Sequence, residues 1–371
     1  MSCLKLGKIT DIKTGKLDAN AAVANGKYPF FTCSKEPLTI DSYSYDCNCV
    51  LVAGNGDLNV KYYNGKFDAY QRTYIIETKD EDRFRIKYIY LIIESKVEEL
   101  RKQAIGGVIK YIKLENLTNI DVPNISIEEQ DRMIEKCFGL KKMIELKVNE
   151  NKELENLIYS KFYKKFGNIL NNDSWKTEKL GDLSEKIMSG NTPKGGSEVY
   201  VKKGITFFRS QNVWKNKLVM DDIAFIDEET HKKMIKSSLK HNDLLITKTG
   251  RVNTENSSLG RASIYEGEDD QANINGHVYL IRLKNNINPK FVLRILISDQ
   301  YKNLIRKVCV GGIDKRQLNK EHIENFPIIV PPLNLQNQYI KETSDIEKLQ
   351  HINEEQINKM NNLYRIYINE I

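Results

Sequence analysis

Pro123-Asn-Ile-Ser-Ile-Glu-Glu-Gln130 and Pro331-Pro-Leu-Asn-Leu-Gln-Asn-Gln338 line up without a gap, and each runs straight into a long polar segment. An internal repeat of this kind decides the architecture before any motif is interpreted. Working back from each copy, the same signals recur in the same order. Ile120-Asp-Val-Pro123 matches Ile328-Ile-Val-Pro331, and the Gly pair Gly106-Gly107 matches Gly311-Gly312. Tyr70-Gln-Arg-Thr-Tyr-Ile-Ile76 corresponds to Asn275-Gly-His-Val-Tyr-Leu-Ile281, and the apolar run Val50-Leu-Val-Ala-Gly-Asn-Gly56 to Leu244-Leu-Ile-Thr-Lys-Thr-Gly250. Phe30-Phe31 pairs with Phe207-Phe208, Gly15 with Gly190, and Leu6-Gly7 with Leu180-Gly181. The order predicts a duplicated α/β unit. The second copy is longer, mainly between Phe208 and Gly250, where loops tolerate insertion.

The polar segments that follow the repeated block read as two long helices. From Ser126 to about Phe166 there is no Pro and one Gly, and Glu128 and Glu129 suit a helix N-terminus. Met133, Cys137, Leu140, Ile144, Asn151, Leu154 and Ile158 alternate spacings of three and four, with Lys147 in the polar gap. In the stretch Leu335 to Ile371 the same rhythm passes through Ile346, Leu349, Asn353, Gln356, Met360, Leu363 and Tyr367. Such narrow stripes are coiled-coil seams, and the simplest partner for each helix is the other. About 40 residues at 1.5 Å each make a rod of roughly 60 Å. A repeated globule-plus-helix unit closes most simply as a pseudo-two-fold object with antiparallel helices. That arrangement suits two half-sites on duplex DNA.

Composition sets the outer bounds. The 371 residues are 40% hydrophobic and 29% charged, with 8 Pro and 21 Gly, which excludes a low-complexity chain and predicts two folded domains. Lys and Arg number 57 against 50 Asp and Glu, a balance that favours a polyanionic partner. Six scattered cysteines, with Cys47 and Cys49 only one residue apart, lack zinc-site spacing and predict free thiols. No apolar run reaches signal-peptide or membrane-span character, so a cytoplasmic protein is expected.

The chain resembles the specificity subunits of type I restriction–modification systems. The resemblance is carried by Lys179-Leu-Gly181, Val310-Gly-Gly-Ile-Asp-Lys-Arg-Gln-Leu318, and Ile328-Ile-Val-Pro-Pro-Leu333 with Gln338. In the first half it rests on Ile105-Gly-Gly-Val-Ile-Lys-Tyr-Ile-Lys113 and on Val122-Pro123 with Gln130. It spans nearly the whole chain, although Pro-Pro-Leu of the second half is Pro123-Asn124-Ile125 in the first. The resemblance implies two α/β target-recognition domains in tandem, each followed by a long helix, with the helices in an antiparallel coiled coil. Expected boundaries are 1–125 and 177–333 for the recognition domains, 126–167 and 334–371 for the helices, and 168–176 for a linker. It further implies two methyltransferase subunits docked through the helices and recognition domains, and restriction subunits. S-adenosylmethionine, ATP and Mg²⁺ are expected in those partners and none in this chain.

DNA contact calls for cations toward phosphates and for amides, Arg or aromatic groups toward base edges. In the first half the candidates are Lys61, Tyr62, Tyr63, Lys66, Gln71 and Arg72, with Lys110 and Tyr111 after the Gly pair. In the second they are Arg209, Gln211, Asn212, Trp214, Lys215, Lys248, Thr249 and Arg251, with Lys315, Arg316 and Gln317 after the Gly pair. Catalytic readings are weak. Asp68 with Glu77-Thr-Lys79 mimics a metal-dependent nuclease triplet, but Arg282-Leu-Lys284 replaces it in the second half. No P-loop, dinucleotide fingerprint or Asn-Pro-Pro-aromatic motif is present. No catalytic or metal site is expected, and the competing functions are a two-lobed protein scaffold and a stand-alone nuclease.

Overall fold

The start of the central helix is set by local chemistry. The Ser126 N–H donates to Glu129 Oε2 (3.1 Å) and the Glu129 N–H donates back to Ser126 Oγ (3.3 Å), a reciprocal cap. The central helix then runs unbroken over Ile127–Phe166, and a C-terminal helix covers Leu333–Asn369. The computed structural model describes residues 2–252, 254, 256–312 and 315–371. The chain divides into two compact units, Met1–Lys152 with His351–Ile371, and Glu153–Gln350, so each unit holds part of both long helices.

The first unit contains β1 (Cys3–Lys5), β2 (Thr10–Thr14), β3 (Tyr28–Phe31), β4 (Leu38–Ile40), β5 (Tyr45–Ala53), β6 (Val60–Ala69), β7 (Thr73–Thr78) and β8 (Asp121–Pro123), with helices α1 (Ile86–Ser95) and α2 (Val97–Gln103). Six strands form one sheet in the order β2-β7-β5-β6-β3-β4, and β1 pairs with β8. Alternation along β5 sends Val50 and Val52 into the core shared with α1, while Cys49 and Leu51 join Phe31 and Phe67 on the opposite face. Helix α1 is buried almost all round, from Tyr88 to Ile93. It lies between the sheet and the central helix, where Cys137 and Phe138 meet it.

In the second unit lie β9 (Thr177–Lys179), β10 (Ser184–Ser189), β11 (Ile205–Phe208), β12 (Val213–Trp214), β13 (Lys217–Leu218), β14 (Ala224–Ile226), β15 (Leu244–Thr247), β16 (Thr249–Gly250), β17 (Ala262–Ile264), β18 (Ala272–Ile274), β19 (Val278–Leu283), β20 (Val310–Gly312), β21 (Lys315–Gln317) and β22 (Pro327–Ile329). Helices α3 (Pro289–Leu296) and α4 (Asp299–Val308) follow β19. The main sheet runs β10-β19-β15-β17, beside a sheet β14-β11-β18 and the pair β22-β9.

The duplication is visible bond by bond. Strand β3 runs parallel to the end of β6 with Phe30 opposite Asp68, as β11 runs parallel to β18 with Phe207 opposite Asn273. The Leu6 N–H donates to Ile120 O and the Leu180 N–H to Phe326 O, both at 2.9 Å. Gly15 and Gly190 pass so close to the facing strand that a Cβ would lie 2.2 Å from Ala69 O and 2.0 Å from Ile274 O. No side chain fits at either place.

These bonds correct the alignment at the repeated block. Ile120 corresponds to Phe326 and β8 to β22, so the second copy is registered two positions earlier than the ungapped match of Gln130 on Gln338. The true counterpart of Gln130 is Gln336. Gln130 is fully buried; its Oε1 accepts from the Arg85 N–H (3.0 Å) and its Nε2 donates to Arg83 O (2.9 Å) and Ile125 O (3.2 Å). Gln336 is equally buried, accepting from the Asn288 N–H (2.9 Å) and donating to Pro331 O (2.7 Å). Each amide thus ties the first turn of a long helix to the backbone before α1 or α3. Gln338 is exposed and, among the described residues, reaches only Glu342. Proline identity misled the alignment, because a Pro before a helix is tolerated at several positions whereas the buried amide fits one.

Within each unit the long helices run antiparallel. In the first, Lys136 lies over the Tyr367 ring and Lys147 reaches Asn353, so the partner number falls as the central-helix number rises. In the second, Glu155 meets Gln350 and Lys165 meets Glu342. All the predicted central-helix seam residues from Met133 to Ile158 are at least partly buried. Asn353 is fully buried, donating to Asn151 Oδ1 (2.9 Å) and accepting from Lys147 Nζ (2.9 Å), so the seam amides are paired with each other.

The C-terminal seam needs one correction. Ile346, Asn353, Met360 and Tyr367 face inward, but Leu349 and Leu363 are 38% exposed and Gln356 is exposed; Gln350, Ile357 and Tyr364 take their places. From each shared anchor a seam can step by three then four or by four then three, and leucines made the wrong phase look better.

Gln336→Ala leaves the Asn288 N–H and Pro331 O without their partner, so it is expected to cost roughly 2–3 kcal/mol. Gln338→Ala is expected to stay within about 0.5 kcal/mol. Chemical denaturation of the two variants beside the wild type separates the two registers.

Candidate nucleic-acid interface

The duplicated bonds bring three loops together at one edge of each unit. In the first unit the Gly54 N–H donates to Arg72 O (2.8 Å), the Ile112 N–H donates to Gly54 O (3.0 Å), and the Gly56 N–H donates to Lys110 O (2.9 Å). In the second the Lys248 N–H donates to His277 O (2.8 Å), the Leu318 N–H donates to Lys248 O (2.8 Å), and Gly250 pairs with Arg316. A turn after an apolar strand, a turn before the next strand and a Gly-Gly hairpin are thus laced by equivalent backbone bonds. Gly106 (φ 120°) and Gly311 (φ 116°) open the two hairpins in a left-handed conformation that side chains resist.

This edge gathers Lys61, Gln71, Arg72, Lys110 and Tyr111 in the first unit. Gln71, Arg72 and Lys110 are exposed, and Val108 beside them is fully exposed at the hairpin tip. Lys61 is half-buried; its Nζ donates to Ser34 O (2.7 Å) and contacts Asn59, and burial pulls its pKa down. The other members of the predicted cluster lie elsewhere. Tyr62 packs edge-on against Phe138 of the central helix, and Tyr63 packs against Phe31 and Phe67 on the opposite face of the sheet. Lys66 sits over the Tyr43 ring, six residues along β6 from Val60 and so roughly 20 Å from the turn.

In the second unit the edge holds Lys248, Thr249, Arg251, Lys315, Arg316 and Gln317. Lys315 and Arg251 are exposed, whereas Arg316 donates to Cys309 O (3.2 Å) and braces the hairpin. Arg209 pairs with Asp222 (3.1 Å), which also accepts from Gln211 Nε2 (3.0 Å). Asn212 is fully buried; its amide accepts from the Arg209 N–H and donates to Val219 O and Asp221 O, which shapes this loop and removes it from the exposed surface. The inserted β12–β13 hairpin carries Trp214, whose ring lies under the Arg261 guanidinium at 3.7 Å.

Three cations and one histidine at this surface escaped the sequence reading: Arg261, Lys302, Arg306 and His277. His277 is exposed and occupies the place of Arg72, which the matched turns Tyr70-Gln-Arg and Asn275-Gly-His could have indicated. Lys302 and Arg306 are four apart on α4, a signal that emerges only once Tyr301 and Ile305 are known to face the core.

The nuclease-like triplet does not converge. Asp68 is buried, its carboxylate taken by Ser44 Oγ (2.7 Å) and the Ala69 N–H (2.9 Å); Glu77 pairs with Lys13 and Lys79 with Asp11. Strand β5 separates β6, which carries Asp68, from β7, which carries Glu77. The structural counterpart of Asp68 is Asn273, so a buried polar group at this position supports the parallel strand pair in both units.

The model of the type I restriction modification DNA specificity domain matches residues 2–156 and again 172–362. The chain belongs to this family. The specificity subunit of the type I restriction enzyme EcoDI from Escherichia coli is 39% identical over 142 residues, 38% of this chain and 31% of that subunit. The MjaVIII specificity subunit of Methanocaldococcus jannaschii is 22% identical over 289 residues, 73% of this chain and 66% of the relative. The matched stretch thus spans about a third of the EcoDI subunit. The crystal structure of a type I restriction–modification S subunit from M. genitalium shares the fold, with a TM-score of 0.65 at 15% identity over 99% of this chain and 95% of that one.

Lys215, predicted to face DNA, is instead engaged by the central helix, with Nζ 3.1 Å from Glu155 Oε1 and over the Tyr159 ring. Arg294, only 4% exposed on α3, lies between Glu155 (3.6 Å) and Glu347 (3.0 Å from Nε) and so holds both long helices. Burial works to raise the Glu155 pKa, but Lys215 and Arg294 outweigh it and hold the carboxyl below its usual range. A depressed carboxylate pKa contributes stability that is full above the unfolded value, about 4.3, and is lost as pH falls through the folded value. The difference in melting temperature between wild type and Glu155→Gln is therefore expected to be constant near neutrality and to shrink below about pH 4. A constant gap down to acid pH would show that the charge of Glu155 contributes nothing.

Proposed function

We propose that this chain reads a two-part target on duplex DNA and seats methyltransferase subunits, together with restriction subunits, on that target. The observation that carries the proposal is the twice-built edge: two units present the same laced turns and Gly-Gly hairpin, with exposed Arg72 and Lys110 in one and Arg251 and Lys315 in the other. Equivalent scaffolds with different exposed side chains suit two readers of different half-sites. Phosphate contacts from the cations would set position, and the exposed amide, ring and guanidinium groups would read base edges. The names of the relatives above, all specificity subunits, support the same reading.

On this proposal the chain contributes recognition and no chemistry. S-adenosylmethionine, ATP and Mg²⁺ would be held by partner subunits, and the complex would act in the cytoplasm. Among the described residues no helix is long and apolar enough to cross a membrane. Docking of the methyltransferase subunits is supported by apolar side chains that the helix seam leaves outside. Met143 and Leu146 of the central helix are 55% and 56% exposed, and Ile352 and Ile366 of the C-terminal helix 48% and 53%. A Leu146→Glu substitution is expected to weaken assembly with the methyltransferase subunits at least tenfold without unfolding the chain, read by gel filtration of the mixed subunits.

Separate readers make a sharper prediction. Replacing the segment from about Trp175 to Pro331 by its equivalent from a related subunit is expected to change the bases required at one end of the methylated site and leave the other end alone. Genome-wide mapping of methylated bases in cells carrying the hybrid tests this. A change at both ends would contradict two independent readers.

A further inference from the structure

The Lys302 and Arg306 pair, overlooked in the sequence, faces a crevice of about 240 Å³ in the second unit, with Arg251 and the Arg261–Trp214 stack among its other walls. Arg261 is a fixed part of this wall: its Nε donates to Ser257 O (2.9 Å) and its guanidinium lies against the indole. Lys302 and Arg306 project from the outer face of α4, whose inner face buries Tyr301 and Ile305. Among the described residues lining the crevice none is acidic. Lys215 also borders it, but Glu155 already compensates that charge. Arg251, Asn256 and Ser257 are shared with a neighbouring crevice bounded by Thr249 and Lys315, so the cationic surface continues to the hairpin.

The first unit has a crevice of its own beside its turn and hairpin, built differently. A crevice of about 260 Å³ lies between the Gly54–Asp57 turn and Lys110–Ile112, and its arginine is Arg101. Arg101 pairs with Asp57 (3.2 Å) and also with Glu98, and it donates to Leu58 O (2.9 Å). The arginine of the first-unit crevice is therefore charge-compensated, whereas among the described residues no carboxylate pairs with Lys302 or Arg306. Cations with no carboxylate partner among the described residues, gathered at the edge of the proposed reading surface, suit an anion that recurs along a strand.

We propose that the crevice of Arg251, Lys302 and Arg306 is a phosphodiester subsite for the backbone of duplex DNA, and that the first unit lacks its equivalent. The proposal rests on the DNA-reading function above and deepens it: the second unit anchors the duplex electrostatically, and the first relies on its turns and hairpin. Each phosphate neutralised releases counterions, so the slope of log affinity against log salt carries about 0.9 per contact.

The test uses the full chain and a duplex of random sequence, with affinity read by fluorescence anisotropy across a KCl series. Lys302→Gln with Arg306→Gln is expected to weaken binding on every duplex alike and to make the salt slope shallower by about one to two. Lys302→Arg with Arg306→Lys keeps the charges and is expected to keep the slope, which separates lost charge from lost folding. Arg101→Gln in the first unit is expected to leave the slope unchanged. An unchanged slope in the double Gln variant, or an equal loss with Arg101→Gln, would overturn the subsite. Absence of any duplex binding by the wild-type chain would sink the DNA-reading function and the subsite together, whereas wild-type binding with unaffected variants sinks the subsite alone.

Discussion

Neither long helix can bury enough apolar surface by itself. Each carries a stripe only one or two residues wide, and a helix with so narrow a face is marginal in water unless it packs lengthwise on a partner. Pairing central and C-terminal helices buries Cys137, Ile158, Tyr339 and Ile368 and pairs the Asn151 and Asn353 amides. Sliding one helix along the other would strand those amides in an apolar seam, so register is held by hydrogen bonding as much as by packing.

The α/β elements then clamp this pair. In the first unit Glu94 of α1 accepts from Lys141 Nζ of the central helix (2.8 Å) and from the Tyr364 hydroxyl of the C-terminal helix. Burial and the Glu94 charge push the Tyr364 pKa far up, so that hydroxyl stays a donor. In the second unit the polarity is reversed, with the α3 guanidinium of Arg294 between Glu155 and Glu347. Buried Gln130 and Gln336 complete the attachment at the start of each helix. The exposed edge of turns and hairpin can diverge in its side chains because these contacts, and not the edge, hold each unit together.

Divergence is visible at that edge. Backbone bonds repeat between Gly54, Arg72 and Ile112 on one side and Lys248, His277 and Leu318 on the other, while the side chains do not. The insertion after β11 gives the second unit Trp214 and its stack on Arg261, for which the described residues of the shorter first unit show no counterpart. Exposed loops on a common scaffold accept such change because little packing depends on them.

Duplication, the two helices and their mutual pairing were legible from the sequence, because glycines at forced approaches, apolar strands and three-four spacing each report a local or near-periodic constraint. Gly15 and Gly190 are such marks, and so is the run from Met133 to Ile158. What the sequence left undecided were choices between nearly equal local options. Gln336 or Gln338 could open the second helix, and Leu349 or Gln350 could face the seam; long-range partners at Asn288 and Glu155 decided both. The candidate interface was likewise half visible. Arg72, Lys110, Arg251 and Lys315 stood out beside Gly turns, but Asn212, Tyr62 and Tyr63 turned inward and Lys302 and Arg306 turned out. Whether a polar or aromatic side chain meets solvent depends on what other segments cover it, and only the folded chain determines that.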